Sequence, residues 1–416
     1  MSFVEKQTNN QGQDDKLLAV INQLSDEIEK HTICIRRKIH MHPEISFKEF
    51  ETSKVVCSEL ERIGIPYEKS QVAPGIIATI DSGKQGKFVM LRADMDALPI
   101  QENTGLEYAS KVPNVMHACG HDVHTSNLLA VGEILTKTRD LWSGKVKLVF
   151  QPGEENGGGG REMIKHGLMD DVPDACFGMH VDVKTPGVFT IGEGYVTAYS
   201  DGVFITIHGK AAHSSKPQLG VDALNIAAAV VLALNTMTGR YLSPMSSSTF
   251  NIGIVKGGTA VNVIADNVEI GCMCRNQTKE DREVMLDKIQ KITKGIVESM
   301  GGTVDIRIRV GYSAVYNNLD LTKFAVQTIS ANKNKLYEEI YAPEQIPQDF
   351  MTTGNCFNLA AEDFGFYSQK APSCFMKIGV GLGSPNHNPN FKVDEKYIKI
   401  FTRTMALLAI KYLNKK

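Results

Sequence analysis

The sequence predicts an α/β protein: a largely parallel, helix-covered sheet with a smaller α+β domain inserted into it. Three observations carry this. The chain has 416 residues, too many for one simple core. Short continuous apolar runs alternate with helical segments through its first half, as strands buried on both faces do. From about residue 200 the rhythm changes to strand, helix, two strands, helix, strand. The expected division is a catalytic domain in two parts, 16–198 and 313–416, around an inserted domain, 199–312.

The leader MSFVEKQTNNQGQDDK is polar, lacks the apolar core of a signal peptide, and reads as disordered. Lys16 to Lys38 has helical apolar spacing (Leu17, Val20, Ile21, Leu24, Ile28). A second helix is expected from Ser46, with Glu49 three residues on in a capping-box pattern, to a stop before Gly64. GIIATI at Gly75, FVMLRA at Phe88, KVKLVF at Lys145 and ACFGMH at Ala175 read as buried strands. Helices around Thr125 to Thr136 and Arg161 to His166 separate several of them.

In the middle segment GVFITIHG leads into a helix from Gly220 to Thr238, then STFNIGIV and DNVEIGCMC, then an amphipathic helix from Glu280 to Met300, then TVDIRIRV. That order is the ferredoxin-like split pattern. CFMKIGVG at Cys374 and a helix from Glu395 return to the first domain.

Composition narrows the function classes. Apolar residues make up 42%, charged residues 22%, and the formal net charge is -2, so neither a nucleic-acid surface nor an anionic membrane is expected as a partner. The longest purely apolar stretch, Ile226 to Leu234, is far below the roughly 20 residues of a membrane span. Eight scattered cysteines are not a disulfide framework, and a cytoplasmic compartment is expected.

The chemistry falls at strand ends, where open α/β sheets bind ligands. The strand at Phe88 runs into Arg92, Asp94 and Asp96; that at Lys145 into Glu154 and Glu155; that at Ala175 into His180. The densest cluster is HACGHDVH, with His117, Cys119, His121, Asp122 and His124. Thiolate, imidazole and carboxylate are the ligand set of zinc and related divalent ions. Taken alone, the cluster favours metal only modestly over a polar loop before a helix; with Glu155 and His180 at similar strand ends, metal is clearly favoured. Of the adjacent glutamates, one can bind an ion while the other takes a proton from water. The GGGG that follows lacks the Lys-Ser/Thr of a phosphate loop.

RRKIHMHPEISFKEFET, LRADMDALPI, HACGHDVHT, QPGEENGGGG, GMHV, AAHSSKP, GTAVNVIAD, AAEDF and NHNPNF occur in that order from about Arg36 to Asp394. Together they resemble the metallopeptidase and aminoacylase superfamily, and within it the amidohydrolases of N-acyl, hippuryl and indoleacetyl amino acids. The resemblance implies two divalent ions, zinc or manganese with cobalt or nickel as alternatives, held by Cys119, His121, Glu155, His180 and His387. It implies Glu154 as general base and Asp94 as the acid that orients a ligand, with Arg92 where many relatives have a histidine. From the inserted domain it implies His213 as a donor to the developing oxyanion, assisted by Asn262, with Arg275 holding a substrate carboxylate. It further implies a lid and dimerisation role for that domain, and hence a homodimer or higher homo-oligomer.

Ala265, Ser373 and the GCMCR strand depart from the family pattern and bear on substrate preference. Cys272 and Cys274 alternate across that strand and read as packing. The expected activity is hydrolysis of the amide of a small N-acyl amino acid. A carboxypeptidase or dipeptidase on the same site is the nearer alternative, and a catalytically silent metal- or ligand-binding protein is the one of another class.

Overall fold

The computed structural model describes residues 3–381 and 383–415. They divide into two compact units: one of 1–194, 316–356 and 366–416, the other of 195–315 and 357–365.

The first unit opens with α1 (Phe3–Met41), whose Leu18, Ile21, Ile28, Ile35 and Ile39 are buried on one face. The stretch expected to be a disordered leader continues this helix from Phe3, and Met1 and Ser2 lie outside the described residues. It holds a single glycine and no proline, so no strong breaker interrupts it. α2 (Phe50–Ile63) starts four residues later than its capping-box pattern predicts. Neither Ser46 nor Glu49 caps it; the Glu44 carboxylate accepts from the Glu51 amide at 3.1 Å and the Thr52 amide at 2.9 Å instead. Ser46 and Glu49 turn their side chains elsewhere, as described below.

The sheet strands that follow are β1 (Tyr67–Lys69), β2 (Ile76–Asp81), β3 (Phe88–Asp94), β4 (Lys145–Gln151), β5 (Ala175–Asp182) and β6 (Phe189–Gly192). With Met351–Gly354 and Ser373–Gly379 they form eight strands in the order β1, β2, β4, β3, β5, Ser373–Gly379, β6, Met351–Gly354. The central pairings are parallel: β3 with β4, β3 with β5, and β5 with Ser373–Gly379. Antiparallel pairs flank them, so the sheet is mixed α/β with a mostly parallel middle. Every residue of β3 is buried, the apolar Phe88 to Leu91 and also the charged Arg92 and Asp94 at its carboxyl end.

The connection from β3 returns beside it as β4, and the next crosses to the other flank as β5. The carboxyl ends of these three strands therefore open around a topological switch point, where such sheets bind ligands. Between β3 and β4 lies α3 (His121–Lys137), buried from His121 through Leu135. It begins at His121, four residues earlier than the spacing predicts, because Gly120 adopts a φ of 93° as its N-cap. A β-carbon on Gly120 would also meet Val181 Cγ2 at 2.2 Å, so only glycine brings the strand end this close. α4 (Gly159–Lys165) joins β4 to β5.

The second unit has an antiparallel sheet in the order Ser248–Gly257, Asn267–Asn276, Tyr199–His208, Thr303–Tyr312. α5 (Ala223–Leu234) starts at Asp222, whose carboxylate accepts from the Leu224 and Asn225 amides. A second helix, Lys279–Ser299, starts at Thr278, whose hydroxyl accepts from the Asp281 amide. Val230, Met285, Ile289 and Val297 pack into the core of this unit. The segment 357–365 packs here too: the Ala198 amide donates to the Ala360 carbonyl at 2.9 Å. Its AAEDF motif lies, by sequence, in the stretch expected to belong to the first domain.

Among the described residues no helix is long and apolar enough to cross a membrane.

Candidate metal centre

Five segments of the first unit meet beyond the carboxyl ends of β3, β4 and β5. β3 delivers Asp94 and Asp96. β4 runs through Pro152 and Gly153 into Glu154 and Glu155, and β5 carries His180. The start of α3 supplies Cys119 and His121, and a late loop supplies His387.

Their donor atoms fall into overlapping groups. Cys119, His121 and His180 each offer an atom within 4.8 Å of the others, and so do Cys119, Glu155 and His387. His121, Glu154 and Glu155 make a further group of the same span. Donors about 2.0–2.3 Å from one ion can lie no more than about 4.6 Å apart, so this spacing suits metal coordination. Cys119 belongs to two groups, which gives the site room for two ions. The Cys119 sulfur lies 3.4 Å from His180 Nε2, and His387 Nε2 lies 3.2 Å from Glu155 Oε1.

Hydrogen bonds separate the histidines by role. His121 Nδ1 donates to the Asp96 backbone carbonyl at 2.8 Å, leaving the lone pair on Nε2. That Nε2 is buried and makes no hydrogen bond. His180 Nδ1 likewise donates to the Val181 carbonyl, at 2.5 Å, turning its Nε2 toward Cys119. Metal-binding histidines characteristically donate their other ring N–H to a carbonyl or carboxylate in this way. His124 differs: its Nε2 accepts from the Val181 amide at 3.0 Å and its Nδ1 donates to Asp94 Oδ1 at 2.6 Å. With both nitrogens engaged it has no lone pair for an ion. His117, the first histidine of the cluster, is buried without a hydrogen bond at either nitrogen, and burial pushes it down to about 3.

The electrostatics favour a cation. Burial opposes charge on His121, yet Asp94 and Cys119 raise it well above the usual histidine range. Cys119 and Glu155 beside it push His387 up to about 10. Burial, with His124 next to it, lowers His180 well below its ordinary value and keeps that ring neutral. Burial works against the charge of Asp94 also, but Arg92, His121 and His124 hold it well below the carboxylate range. Arg92 bridges Asp94 Oδ2 at 2.5 Å and Gln151 Oε1 at 2.9 Å. The gathered thiol and carboxylate groups, with His121 Nε2 left without a hydrogen bond among them, fit a divalent ion.

Asp96 has a part that its sequence position does not reveal. Its two oxygens accept the Glu154 and Glu155 amides at 3.0 and 2.9 Å, and Oδ2 also accepts the Ser46 hydroxyl at 2.6 Å. One buried carboxylate therefore fixes the backbone of both glutamates. His387 is held with a φ of 66°, an uncommon left-handed conformation that histidine tolerates better than most residues. Its amide donates to the Ala118 carbonyl at 2.8 Å, tying the late loop to the cluster.

The three remaining candidates lie in the second unit. His213 is exposed on a two-residue strand, Ala212–His213, paired with Val263–Ile264, so Asn262 lies beside it and accepts the Ser214 amide on its carbonyl at 3.0 Å. The Ser215 amide donates to His213 Nδ1 at 3.2 Å, which leaves Nε2 as the ring's donor. Arg275 sits toward the far end of Asn267–Asn276, about 26 Å of extended strand from its start. Arg275 is partly buried, its Nη1 makes no hydrogen bond, and burial lowers it from the ordinary arginine value. It is thus not grouped with His213 and Asn262.

The sequence model of peptidase family M20/M25/M40 matches residues 90–411. Thermostable carboxypeptidase 1 of Saccharolobus solfataricus is 37% identical over 94% of the chain and 97% of its own length. IAA-amino acid hydrolase ILR1-like 5 of Arabidopsis thaliana is 35% identical over 92% of the chain and 86% of its own length. Among solved structures, YXEP of Bacillus subtilis, described as a dinuclear metal binding peptidase of the M20 family, superposes with a TM-score of 0.80 at 29% identity, covering 94% of this chain and 100% of that one.

Proposed function

The chain belongs to peptidase family M20/M25/M40 and is a hydrolytic enzyme; on that premise we propose that it removes the acyl group from N-acyl amino acids by metal-assisted hydrolysis of the amide. The observation that carries the proposal is the pattern of free lone pairs. Of the histidines in the cluster, buried His121 and half-buried His180 each turn one nitrogen toward Cys119 and Glu155, and Glu154 stands beside them as a second carboxylate.

In this reading Cys119, His121, Glu155, His180 and His387 hold two divalent ions, zinc or manganese, with cobalt and nickel also compatible with mixed nitrogen, oxygen and sulfur donors. Such ions supply, when bound, a water acidified toward pH 7 and a Lewis acid for the carbonyl oxygen. Glu154 takes the proton of the attacking water and returns it to the leaving amine. Asp96 keeps Glu154 and Glu155 in fixed relation through their amides, so base and ligand do not drift apart. Asp94 and His124 brace the rings of the cluster. His213 donates Nε2–H to the developing oxyanion and Asn262 assists. The second unit acts as lid and dimerisation domain.

A second reading has its own support: the carboxypeptidase similarity is as extensive as that to the amino acid hydrolase. Both cut an amide next to a free carboxylate. A panel of acetyl-, benzoyl- and indoleacetyl-amino acids with dipeptides, assayed by mass spectrometry with Mn²⁺ or Zn²⁺ and again with chelator, separates them. Chelator-sensitive release from the acylated amino acids is the expected result. Cleavage of dipeptides alone transfers the assignment to a peptidase. Cleavage of nothing by metal-loaded protein overturns both.

A further inference from the structure

The segment Ser46–Glu49 imitates the start of a helix but has its side chains on the loop that follows β4. Glu49 is fully buried, and its Oε1 accepts the Gly153 amide at 2.8 Å. The next two amides, of Glu154 and Glu155, go to Asp96, which in turn accepts the Ser46 hydroxyl at 2.6 Å. Three consecutive amides of one loop are thus held by two buried carboxyl groups. Between them, Phe47 adopts a φ of 62°, a conformation bulky residues avoid. Its ring lies against Gly153 and Gly157: a β-carbon on either glycine would meet Phe47 Cε2 at 2.5 Å.

We propose that Ser46, Phe47 and Glu49 form a clamp that sets the position of Glu154, with Glu49 acting through the Gly153 amide as a positioning residue rather than a catalytic one. The inference rests on Glu154 being the general base. Glu49 is the member most specific to this task. Its side chain caps no helix, and its hydrogen bond outside its own segment is to the residue before Glu154. Burial and the nearby Asp96 push its carboxyl up to about 8. A neutral carboxyl offers Gly153 the same carbonyl-type acceptor that a glutamine would.

The test compares Glu49→Gln, Glu49→Ala and Glu154→Gln for kcat, KM, bound metal by plasma mass spectrometry, and melting temperature. Glu154→Gln is expected to lose about 10²- to 10⁴-fold in kcat, the usual contribution of a general base. Glu49→Ala is expected to lose about 10- to 100-fold in kcat with KM and metal content unchanged, as a misplaced catalytic group does. Glu49→Gln should recover most of that loss. A Glu49→Gln as slow as Glu49→Ala, or a Glu49→Ala with wild-type kcat, overturns the clamp. Full activity in Glu154→Gln overturns the proposed mechanism instead, whatever Glu49 does. If Glu49→Ala does not fold, Phe47→Leu removes the ring contact: a lower kcat with full metal content supports the clamp, and a wild-type kcat refutes it.

Discussion

His121 and Asp122 are neighbours in the chain and both fully buried, yet they face two different polar regions. Asp122 turns one oxygen to a set of charges, while its Oδ1 makes no hydrogen bond. Its Oδ2 accepts Arg36 Nε at 2.7 Å and His40 Nδ1 at 2.9 Å. Arg36 continues to Glu395 at 2.9 Å and Tyr108 at 3.0 Å, and His40 to Glu102 at 3.3 Å. His121 turns to the Cys119–Glu155 cluster, where its Nε2 makes no hydrogen bond and Glu155 Oε1 faces His387 Nε2, at 3.2 Å. Both regions are built from the same residue types. Burial of charge is therefore no sign of function by itself, nor is one unpartnered atom, since Asp122 Oδ1 is buried without a hydrogen bond too; the convergence of imidazole, thiol and carboxylate atoms within 4.8 Å is. The Arg36 network supports the fold, and the cluster is shaped for something that is not protein.

The largest expected effect that sharpens this contrast is on the network. Arg36→Met leaves Asp122 buried beside a single histidine and should cost about 3 to 5 kcal/mol, as breaking a buried pair does. Urea unfolding measures it, and metal affinity of the folded fraction should be unchanged. A variant of normal stability that loses metal would erase the distinction between the regions.

His124 stands between them. It is partnered at both nitrogens but packs on the rings of His121 and His180, at centroid distances of 5.4 and 4.6 Å. His124→Gln should weaken metal binding about 10- to 100-fold, the effect of removing a support rather than a ligand. Loss of metal as complete as in a His121 variant would make His124 a ligand and break the lone-pair rule.

A smaller effect concerns acid. Burial opposes the charge of Asp122, but Arg36 and His40 hold its folded pKa below the usual carboxylate range. The unfolded side chain titrates near about 3.9, so the unfolded state binds more protons below that value. The stability from this group is present above pH ~4 and drains away as the pH falls further toward the folded pKa. Unfolding midpoints between pH 7 and 3 should therefore drop less in Arg36→Met than in the wild type. Parallel curves would show that the network does not carry the acid sensitivity.

Much of the centre is legible along the chain because its donors sit where parallel strands end, and strand ends can be read from apolar runs. The start of α3 was harder to place. His121 and Asp122 look like loop residues until Gly120, at a φ of 93°, is seen to begin the helix there. The capping box at Ser46 and Glu49 misleads for a more instructive reason. Its residues have the right type and spacing, but β3 and the β4 loop compete for the same side chains, and tertiary contacts outweigh a local propensity. Asp96 shows the converse limit: nothing in LRADMDALPI distinguishes the acid that grips two backbone amides from the one that braces histidines. In the second unit, spacing relates His213 to Asn262 through a short strand pair, but the length of Asn267–Asn276 separates Arg275 from both.

The central claim is that the clustered donors bind two divalent ions, and metal stoichiometry addresses it without reference to substrate. Wild type, His121→Ala and Arg36→Met, stripped with chelator and titrated with Zn²⁺ or Mn²⁺ in a calorimeter, should bind two, fewer than two, and two equivalents per folded chain. Equal binding by His121→Ala and wild type, or no stoichiometric binding by the wild type, would contradict the account.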